Sequence, residues 1–319
     1  RRGLRGVPRD RRLPTVQPPV TRPFRVGVQL PEVERPVAWS EIRDIAHEAE
    51  GVGFDSIWVG DHLLYRDEHG SRGPWEAWSL LAALGEATER VSIGPLVAAT
   101  AFHNPAMLAK KAATVDEISG GRLILGIGAG WNRTEFDGFG FPYDRRASRY
   151  VEALHILHTL LRTGRIDFEG EFHTLREMEL VPPARPDLPI MIGSEGPRVL
   201  AASLPVVDMW NGWHAWFENT PTGLAELVGK VDAICADVGR DPAEVEKTAA
   251  VMVSAPGGEG RRAGGRSDPG APVSGSPEEV AEALLRLGTH ASHLQVVLDP
   301  IDAGSVAWMG NALALLDAG

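Results

Sequence analysis

The chain has 319 residues and a net charge of −11, with 43% hydrophobic and 24% charged residues. This composition is typical of a globular protein with one large core, and no apolar stretch is long enough to span a membrane. The acidic balance argues against a nucleic-acid partner. The single cysteine, Cys235, excludes an internal disulfide and fits a reducing cytoplasm.

Two stretches lack hydrophobic periodicity. Residues 1–23 are rich in Arg and Pro, and residues 254–275 are rich in Gly. The first could be a basic binding arm, but its composition favours a flexible extension outside the fold. The second follows a predicted strand, so we expect a mobile loop that borders the functional site. Residues 24–319 are then predicted to form one domain.

Strand and helix patterns alternate through this domain. The predicted strands are residues 24–30, 55–60, 91–98, 122–128, 189–194, 206–212, 245–254 and 293–299. The predicted helices are residues 40–53, 76–88, 106–119, 146–164, 197–204, 221–239, 276–288 and 305–318. Ser40, Asn104 and Ser276 are the expected N-terminal caps of three of these helices.

Eight strands alternating with eight helices predict an α/β fold, a (β/α)8 TIM barrel. A doubly wound sheet would also alternate, but it would need a break into two halves, and no linker separates the fourth and fifth strands. The long irregular stretches 61–75, 131–145 and 254–275 each follow a strand. They are therefore expected as loop insertions at the C-terminal face of the strands, where barrel active sites lie.

The fourth strand ends in a glycine-rich turn, GIGAGW, at residues 126–131. A dinucleotide pyrophosphate site is one interpretation, but the third glycine follows the second too closely and no helix is expected to open there. The alternative is a close approach of the backbone to a flat ring, because glycine has no Cβ to block it.

Polar residues end two other strands. Asp61 and His62 follow the second strand, where a histidine can exchange a proton with a bound ligand; a capped loop start is the alternative. Residues 193–196 join the fifth strand to a helix that starts with Pro197. Backbone N–H groups in this turn could bind an anion, or the segment could be an ordinary turn.

The expected substrate pocket is apolar. Gln29 ends the first strand, and Trp131 and Trp213 follow two others, so these three residues are predicted to line it. His155 and His158 lack a third ligand, so no metal site is predicted.

Four segments resemble the bacterial luciferase-like family of flavin- and deazaflavin-dependent oxidoreductases. They are GFDSIWVGDHLLY, NPAMLAKKAATVDEISGGRLILGIGAGWNRTEF, PIMIGSEGPRVLAA and VVDMWNGW. Their order and spacing make the resemblance specific, and together they cover the chain from about residue 24 to its end. The resemblance also implies a barrel.

The family resemblance implies a role for each turn. It places His62 and Asp61 beside the cofactor ring, with His62 assisting hydride transfer, and it places the cofactor phosphate on the turn 193–196. The residues that it implies for cofactor binding are Leu96, Ala98, Thr100, Gly128, Ala129, Gly130, Gly193, Ser194, Glu195 and Gly196. A non-prolyl cis peptide is expected near the third strand, at Pro95–Leu96. Ala98 stands where several relatives have Thr, and Thr100 could partly replace it.

The resemblance implies coenzyme F420 or FMN as the cofactor and a small organic molecule as the substrate. F420-dependent hydride transfer is the favoured function. An FMN-dependent monooxygenase and a non-catalytic flavin-binding barrel are the alternatives. Trp131 replaces the acid that follows the glycine turn in the sugar-phosphate dehydrogenases of the family, so a sugar phosphate is not the expected substrate. A cytoplasmic homodimer is expected.

Overall fold

The computed structural model of the chain describes residues 22–68, 70–259 and 270–319. Almost all of the predicted N-terminal extension lies outside the described residues, as do residues 260–269 in the middle of the predicted mobile loop. Both expectations therefore stay predictions over those ranges.

The described residues form thirteen strands and nine α-helices. The strands are β1 (Arg25–Gln29), β2 (Ser56–Val59), β3 (Tyr65–Asp67), β4 (Gly70–Arg72), β5 (Ser92–Pro95), β6 (Ala98–Ala99), β7 (Leu125–Gly128), β8 (Arg165–Glu169), β9 (Thr174–Glu179), β10 (Ile190–Gly193), β11 (Met209–Gly212), β12 (Glu246–Ser254) and β13 (His293–Asp299). The helices are α1 (Trp39–Gly51), α2 (Ala77–Ala87), α3 (Pro105–Ile118), α4 (Arg133–Phe139), α5 (Arg146–Thr163), α6 (Pro197–Ser203), α7 (Pro221–Asp237), α8 (Pro277–Gly288) and α9 (Ala303–Ala318).

One parallel sheet forms the barrel, in the order β5-β2-β1-β13-β12-β11-β10-β7-β6. Its two ends, β5 and β6, are consecutive segments of the same chain, so the sheet closes on itself. They are the two halves of the third predicted strand. The predicted TIM barrel is therefore confirmed, with eight strand positions around the wall.

Strand three shows a shift of one residue from the prediction. The chain breaks between β5 and β6 at Leu96 and Val97, and the non-prolyl cis peptide joins these two residues. The predicted position, Pro95–Leu96, was therefore wrong by one residue. The physical reason is that Pro95 still pairs with Val59 of β2, so the ladder continues to that point and breaks after it.

Helix α4 is absent from the predicted elements, which gave residues 131–145 as a loop with no helix after the glycine turn. Asn132 caps its first turn by accepting a hydrogen bond from Thr134 N at 3.2 Å. Gly140 ends it with φ 76°, a left-handed conformation that glycine adopts without strain. Both signals are visible in the sequence, and the short length of the helix hid its periodicity.

The other loop insertions also contain secondary structure. The antiparallel hairpin β3–β4 follows β2, and the antiparallel hairpin β8–β9 follows α5. In the predicted mobile loop, Val273 N donates to Met252 O at 2.9 Å and Ser254 N donates to Val273 O at 2.8 Å. The end of that stretch is therefore tied to β12 and is not a free loop.

Two of the three predicted helix caps are confirmed. Asn104 accepts hydrogen bonds from Ala106 N and Met107 N at the start of α3, and Ser276 forms a reciprocal capping box with Glu279 at the start of α8. The prediction for Ser40 was wrong, because α1 begins at Trp39 and Ala38 precedes it without a side-chain cap.

The barrel interior holds its own apolar cluster around the fully buried Trp58. Glycine makes room for this indole on two neighbouring strands. A Cβ added at Gly27 would lie 2.7 Å from Trp58 Nε1, and one at Gly94 would lie 2.8 Å from Trp58 Cζ3. Trp58 Nε1 donates to Ser56 Oγ at 2.7 Å, so the buried indole N–H is satisfied. The interior is therefore a packed core and not a channel.

Within the described ranges, no helix is both long and apolar enough to cross a membrane.

Candidate functional site

The carboxyl ends of the parallel strands all lie at one end of the barrel. Asp61 and His62 follow β2, the glycine-rich turn follows β7, residues 193–196 follow β10 and Trp213 follows β11. The topology therefore brings the sequence-predicted groups to one face of the molecule. The hydrogen bonds and packing contacts of each predicted residue indicate its possible role at this face.

His62 is held by a buried carboxylate from α4. Its Nδ1 lies 3.0 Å from Glu135 Oε1 and 3.1 Å from Glu135 Oε2. Glu135 Oε1 also accepts a hydrogen bond from Leu63 N at 2.6 Å. On the other side of the ring, His62 Nε2 lies 3.9 Å from Glu32 Oε1, which is beyond hydrogen-bond distance.

The charges around His62 favour its protonated form. Burial lowers the pKa of His62, but Glu32, Glu135 and Asp61 act in the opposite direction and leave the pKa above its ordinary value. The side chain keeps 20% of its surface exposed, so a ligand can reach it. A half-buried histidine with a raised pKa is suited to general acid–base chemistry.

Glu32 is the second carboxylate of the site, and it is held by the residue predicted to line the substrate pocket. Gln29 Nε2 donates to Glu32 Oε2 at 2.6 Å, and Tyr65 OH lies 3.4 Å from Glu32 Oε1. Gln29 is buried, so its amide serves mainly to orient Glu32. The prediction that Gln29 lines the substrate pocket stays a prediction.

Aromatic rings enclose the imidazole. The ring centroid of His62 lies 4.8 Å from that of Tyr65 and 5.7 Å from that of Trp131, and these two rings are 6.2 Å apart. Trp131 is 46% exposed, so one face of its indole is open to solvent. This arrangement forms an apolar wall beside the ring nitrogens of His62. Trp213, on the far side, packs against the interior cluster of the barrel.

Asp61 points away from His62 and braces the third strand. Its Oδ2 accepts hydrogen bonds from Ala99 N at 2.9 Å and from His103 Nε2 at 2.9 Å. Both contacts are buried, so the carboxylate joins the end of β2 to β6 and to the turn before α3. The geometry assigns Asp61 a supporting position, and its influence on His62 is through charge.

Three glycines surround the side chain of Val97. A Cβ at Gly128 would lie 2.9 Å from Val97 Cγ2, and a Cβ at Gly193 would lie 3.0 Å from both methyl groups of Val97. Gly126 meets the same side chain from below, at 3.0 Å. Because no side chain covers Val97 from positions 128 and 193, these residues leave a flat apolar surface. We call Val97, Gly128 and Gly193 the glycine floor.

The residues of strand three that were implied for cofactor binding lie in different surroundings, and their contacts with a cofactor stay predictions. Ala98 is fully buried in the main core between strands and helices, and Val97 takes the position beside the glycines. Leu96 lies in the barrel interior, and the Thr100 hydroxyl donates to Gly128 O at 3.1 Å.

Two backbone groups of the turn 193–196 form hydrogen bonds with side chains. Gly196 N donates to Ser194 Oγ at 3.1 Å, and Ser194 O accepts from Trp210 Nε1 at 2.9 Å. The N–H group of Gly196 is therefore engaged within the turn. Glu195 is exposed. Pro197 starts α6, as predicted, so the turn lies at a helix N-terminus.

A flat, partly apolar cofactor fits this end of the barrel. The glycine floor can support a ring, because the two glycines have no side chain that would cover Val97. For a metal, the described ranges contain no group of three or more His, Cys, Asp or Glu side chains arranged to hold one.

Sequence reasoning missed the two carboxylates that flank His62. Glu135 lies three residues after the cap Asn132, so recognising α4 would have drawn attention to it. Glu32 follows β1 within a segment without secondary structure, and nothing in its sequence context indicates that it reaches Gln29 and His62. Its role depends on the closure of the barrel, which brings β1 next to β2.

Known proteins resemble the chain in sequence. An F420-dependent glucose-6-phosphate dehydrogenase from Rhodococcus erythropolis is 30% identical over 225 residues, which cover 67% of this chain and 64% of that protein. The pyrimidine monooxygenase RutA from Stutzerimonas stutzeri is 31% identical over 205 residues, 61% of this chain and 56% of that protein. The chain thus spans between about half and two thirds of the length of the curated relatives it matches.

Solved structures share the fold. An F420-dependent secondary alcohol dehydrogenase in complex with an F420-acetone adduct superposes with a TM-score of 0.77 at 20% identity, over 92% of this chain and 99% of that one. A riboflavin lyase, RcaE, with modified FMN superposes with a TM-score of 0.76 at 16% identity, over 92% of this chain and 91% of that one. The family model described as luciferase-like monooxygenase matches residues 22–257. The chain therefore belongs to the luciferase-like monooxygenase family.

Proposed function

We propose that this protein is an oxidoreductase that works with a reduced flavin or deazaflavin, and that F420-dependent hydride transfer is its reaction. The observation that carries the proposal is the position of His62, a protonatable residue between two carboxylates. It lies at the same end of the barrel as the glycine floor. Relatives named as F420-dependent dehydrogenases and as a methylenetetrahydromethanopterin reductase support it.

The cofactor would lie on residues that are already in place. Val97, Gly128, Ala129 and Gly130 would contact the ring, and residues 193–196 would hold the phosphate through backbone N–H groups other than that of Gly196. When bound, the reduced cofactor supplies the hydride, which no protein side chain can carry.

His62 would move the accompanying proton. Its Nδ1 is occupied by Glu135, so Nε2 is the nitrogen that a substrate oxygen can reach. Protonated His62 would donate the proton on Nε2 to a carbonyl oxygen during reduction. Neutral His62 would accept a proton at Nε2 from a hydroxyl group during oxidation. Tyr65 and Trp131 exclude water from one side of this nitrogen.

The same walls indicate the substrate class. Trp131, Tyr65 and Trp213 present apolar surface, and Glu32 is already engaged with Gln29. We infer a small, largely apolar molecule that carries one carbonyl or hydroxyl group. The aromatic Trp131 gives no polar group for a sugar phosphate, so we propose a substrate that differs from those of the glucose-6-phosphate dehydrogenases.

A titration with cofactor tests the proposal. We expect the absorbance and fluorescence of F420 to change on addition of the protein, with saturation at one cofactor per chain, and FMN to bind more weakly. Gly128→Val should weaken binding by about 10-fold or more, since its side chain would fill the space over Val97; each 1.4 kcal/mol lost is tenfold in affinity. Gly229→Val is the matched control, because a Cβ at Gly229 in α7 meets no atom within 4 Å.

The alternatives give different results in the same titration. Tighter binding of FMN, followed by oxygen consumption with a reduced cofactor, would support a monooxygenase; the named relative RutA favours this second candidate. Binding without turnover of any carbonyl or alcohol would support a non-catalytic barrel. No spectral change with either cofactor would contradict the proposed function.

A cytoplasmic homodimer is part of the proposal. Met107 and Ile118 are exposed large apolar side chains on α3, which packs against α2, and these were the helices expected at the interface. Light scattering at micromolar concentration should give about twice the chain mass of 34.4 kDa. A mass near that of one chain would contradict the dimer.

A further inference from the structure

We propose that Glu135 is a positioning residue that fixes the tautomer of His62, so that Nε2 is the nitrogen that exchanges a proton with the substrate. The inference deepens the proposed function and rests on it for the role of Nε2. The contact between Glu135 and His62, however, is a property of the protein alone. It can therefore be tested without cofactor or substrate.

The first step of the argument is the hydrogen-bonding chemistry of the pair. An ionised carboxylate only accepts hydrogen bonds, and a neutral imidazole has one donor nitrogen and one acceptor nitrogen. Both oxygens of Glu135 lie within 3.1 Å of His62 Nδ1. Nδ1 must therefore carry the hydrogen, which leaves the lone pair of neutral His62 on Nε2.

The second step is that Glu135 cannot easily move away. Its side chain is 1% exposed, and Oε1 accepts hydrogen bonds from Leu63 N at 2.6 Å and Leu64 N at 3.3 Å. Asn132, the cap of the same helix, donates from Nδ2 to Leu64 O at 3.0 Å. Helix α4 therefore clamps the segment that carries His62 from both the N–H and the C=O side.

The third step links this clamp to the glycine-rich turn. Phe136, next to Glu135, is fully buried against Phe102, and a Cβ at Gly130 would lie 3.0 Å from its ring. The turn after β7 and the segment after β2 are thus packed on the same short helix. The position of the imidazole is set relative to the turn on which the cofactor ring is proposed to lie.

The charged groups that face the imidazole are Glu32 from the segment after β1, Glu135 from α4 and Asp61 next to it in the chain. Within residues 22–68, 70–259 and 270–319, Glu135 alone makes a hydrogen bond to the ring. Tyr65 packs on the ring face at 4.8 Å between centroids. Glu32 and Glu135 therefore both stabilise the positive charge, but Glu135 alone selects which nitrogen carries the hydrogen of the neutral ring.

The test is the tautomer of His62 in Glu135→Gln, read from the ring-nitrogen chemical shifts of ¹⁵N-histidine-labelled protein without cofactor. Gln keeps the oxygen that accepts from Leu63 N and Leu64 N, so its amide NH₂ faces Nδ1. The amide oxygen at the Oε1 position still lies 3.0 Å from Nδ1, so the Nδ1–H form is no longer enforced by two acceptors and the neutral ring should gain the Nε2–H form. The pKa of His62 should also fall, because one negative charge is lost.

Glu32→Gln is the matched control. It removes the carboxylate on the opposite side of the ring, so the pKa of His62 should fall while the neutral ring stays Nδ1–H. His62→Gln assigns the signal among the ten histidines. A purely structural role of Glu135, as the acceptor for Leu63 N, predicts no change of tautomer in Glu135→Gln.

Turnover gives a second readout. In Glu135→Gln, the Nε2–H form of the neutral ring cannot act as a base, so alcohol oxidation should fall as the fraction of this form rises. An Nε2–H tautomer in the wild-type protein would overturn the inference, and this result does not depend on how well the variant folds. An unchanged tautomer in folded Glu135→Gln would also overturn it. A tautomer change in a protein that binds no flavin or deazaflavin would support the positioning role and contradict the proposed function.

Discussion

Replacing His62 by Ala is expected to lower turnover of the preferred substrate about 10²-fold or more, the usual loss when a general acid–base group is removed. The structure supports a loss of this size because, in the described part of the chain, Nε2 of His62 makes no hydrogen bond, whereas Nδ1 is held by Glu135. Steady-state kinetics at saturating F420 would measure the effect. The variant should lose turnover number more than it loses cofactor affinity.

His155→Ala is the matched control for this substitution. His155 lies on the exposed side of α5, where its ring contacts only Phe168 among the described aromatic neighbours, so its removal should leave turnover within about twofold of the wild type. A His62→Ala variant with full activity would assign His62 a structural role. The proton would then have to come from another group, with Glu32 the nearest carboxylate to Nε2.

Trp58→Ala is expected to reduce the free energy of unfolding by about 3–5 kcal/mol, the typical cost of removing a large aromatic side chain from a core. Trp58 is fully buried, and its indole packs directly against the backbone at Gly27 and Gly94. The change leaves a cavity at the centre of the barrel. It also removes the donor that satisfies Ser56 Oγ.

Urea denaturation of Trp58→Ala and Trp39→Ala would measure this difference. Trp39 is 37% exposed at the first turn of α1, so its replacement should cost less than about 1 kcal/mol. Equal losses in the two variants would mean that the barrel interior repacks around the cavity. The packed centre inferred from Trp58 would then be wrong.

The barrel could be predicted from the sequence because each strand and helix carries a local signal. The apolar pattern of residues 293–299 predicts a strand, and these residues form β13 with the same bounds. Ser276 indicates the start of α8, because it is the N-terminal cap of that helix. Alternation of such elements leaves few possible topologies. Closure through the two halves of strand three, by contrast, depends on long-range pairing that no local pattern contains.

The candidate site was predicted only in part, and for a physical reason. His62 and the glycine turn could be predicted because strand ends of a parallel barrel face the site. The partners of His62 could not, since Glu32 and Glu135 lie 30 residues before it and 73 residues after it. A buried carboxylate is selected by its three-dimensional surroundings, which a residue type alone does not reveal.

Strand three shows the limit of position-by-position inference. The resemblance pointed to Ala98 as the residue beside the ring, but Val97 occupies the glycine floor and Ala98 faces the helices. Along a strand, a shift of one residue moves every side chain to the opposite face. Which of these residues a cofactor contacts stays a prediction.

The central claim is that a deazaflavin or flavin ring lies on the glycine floor next to Nε2 of His62. A crystal structure of the protein with bound F420 tests it most directly. We expect the ring in van der Waals contact with Val97, Gly128 and Gly193, and the phosphate at residues 193–196. A ring bound elsewhere, or one separated from His62 by an intervening side chain, would contradict the account.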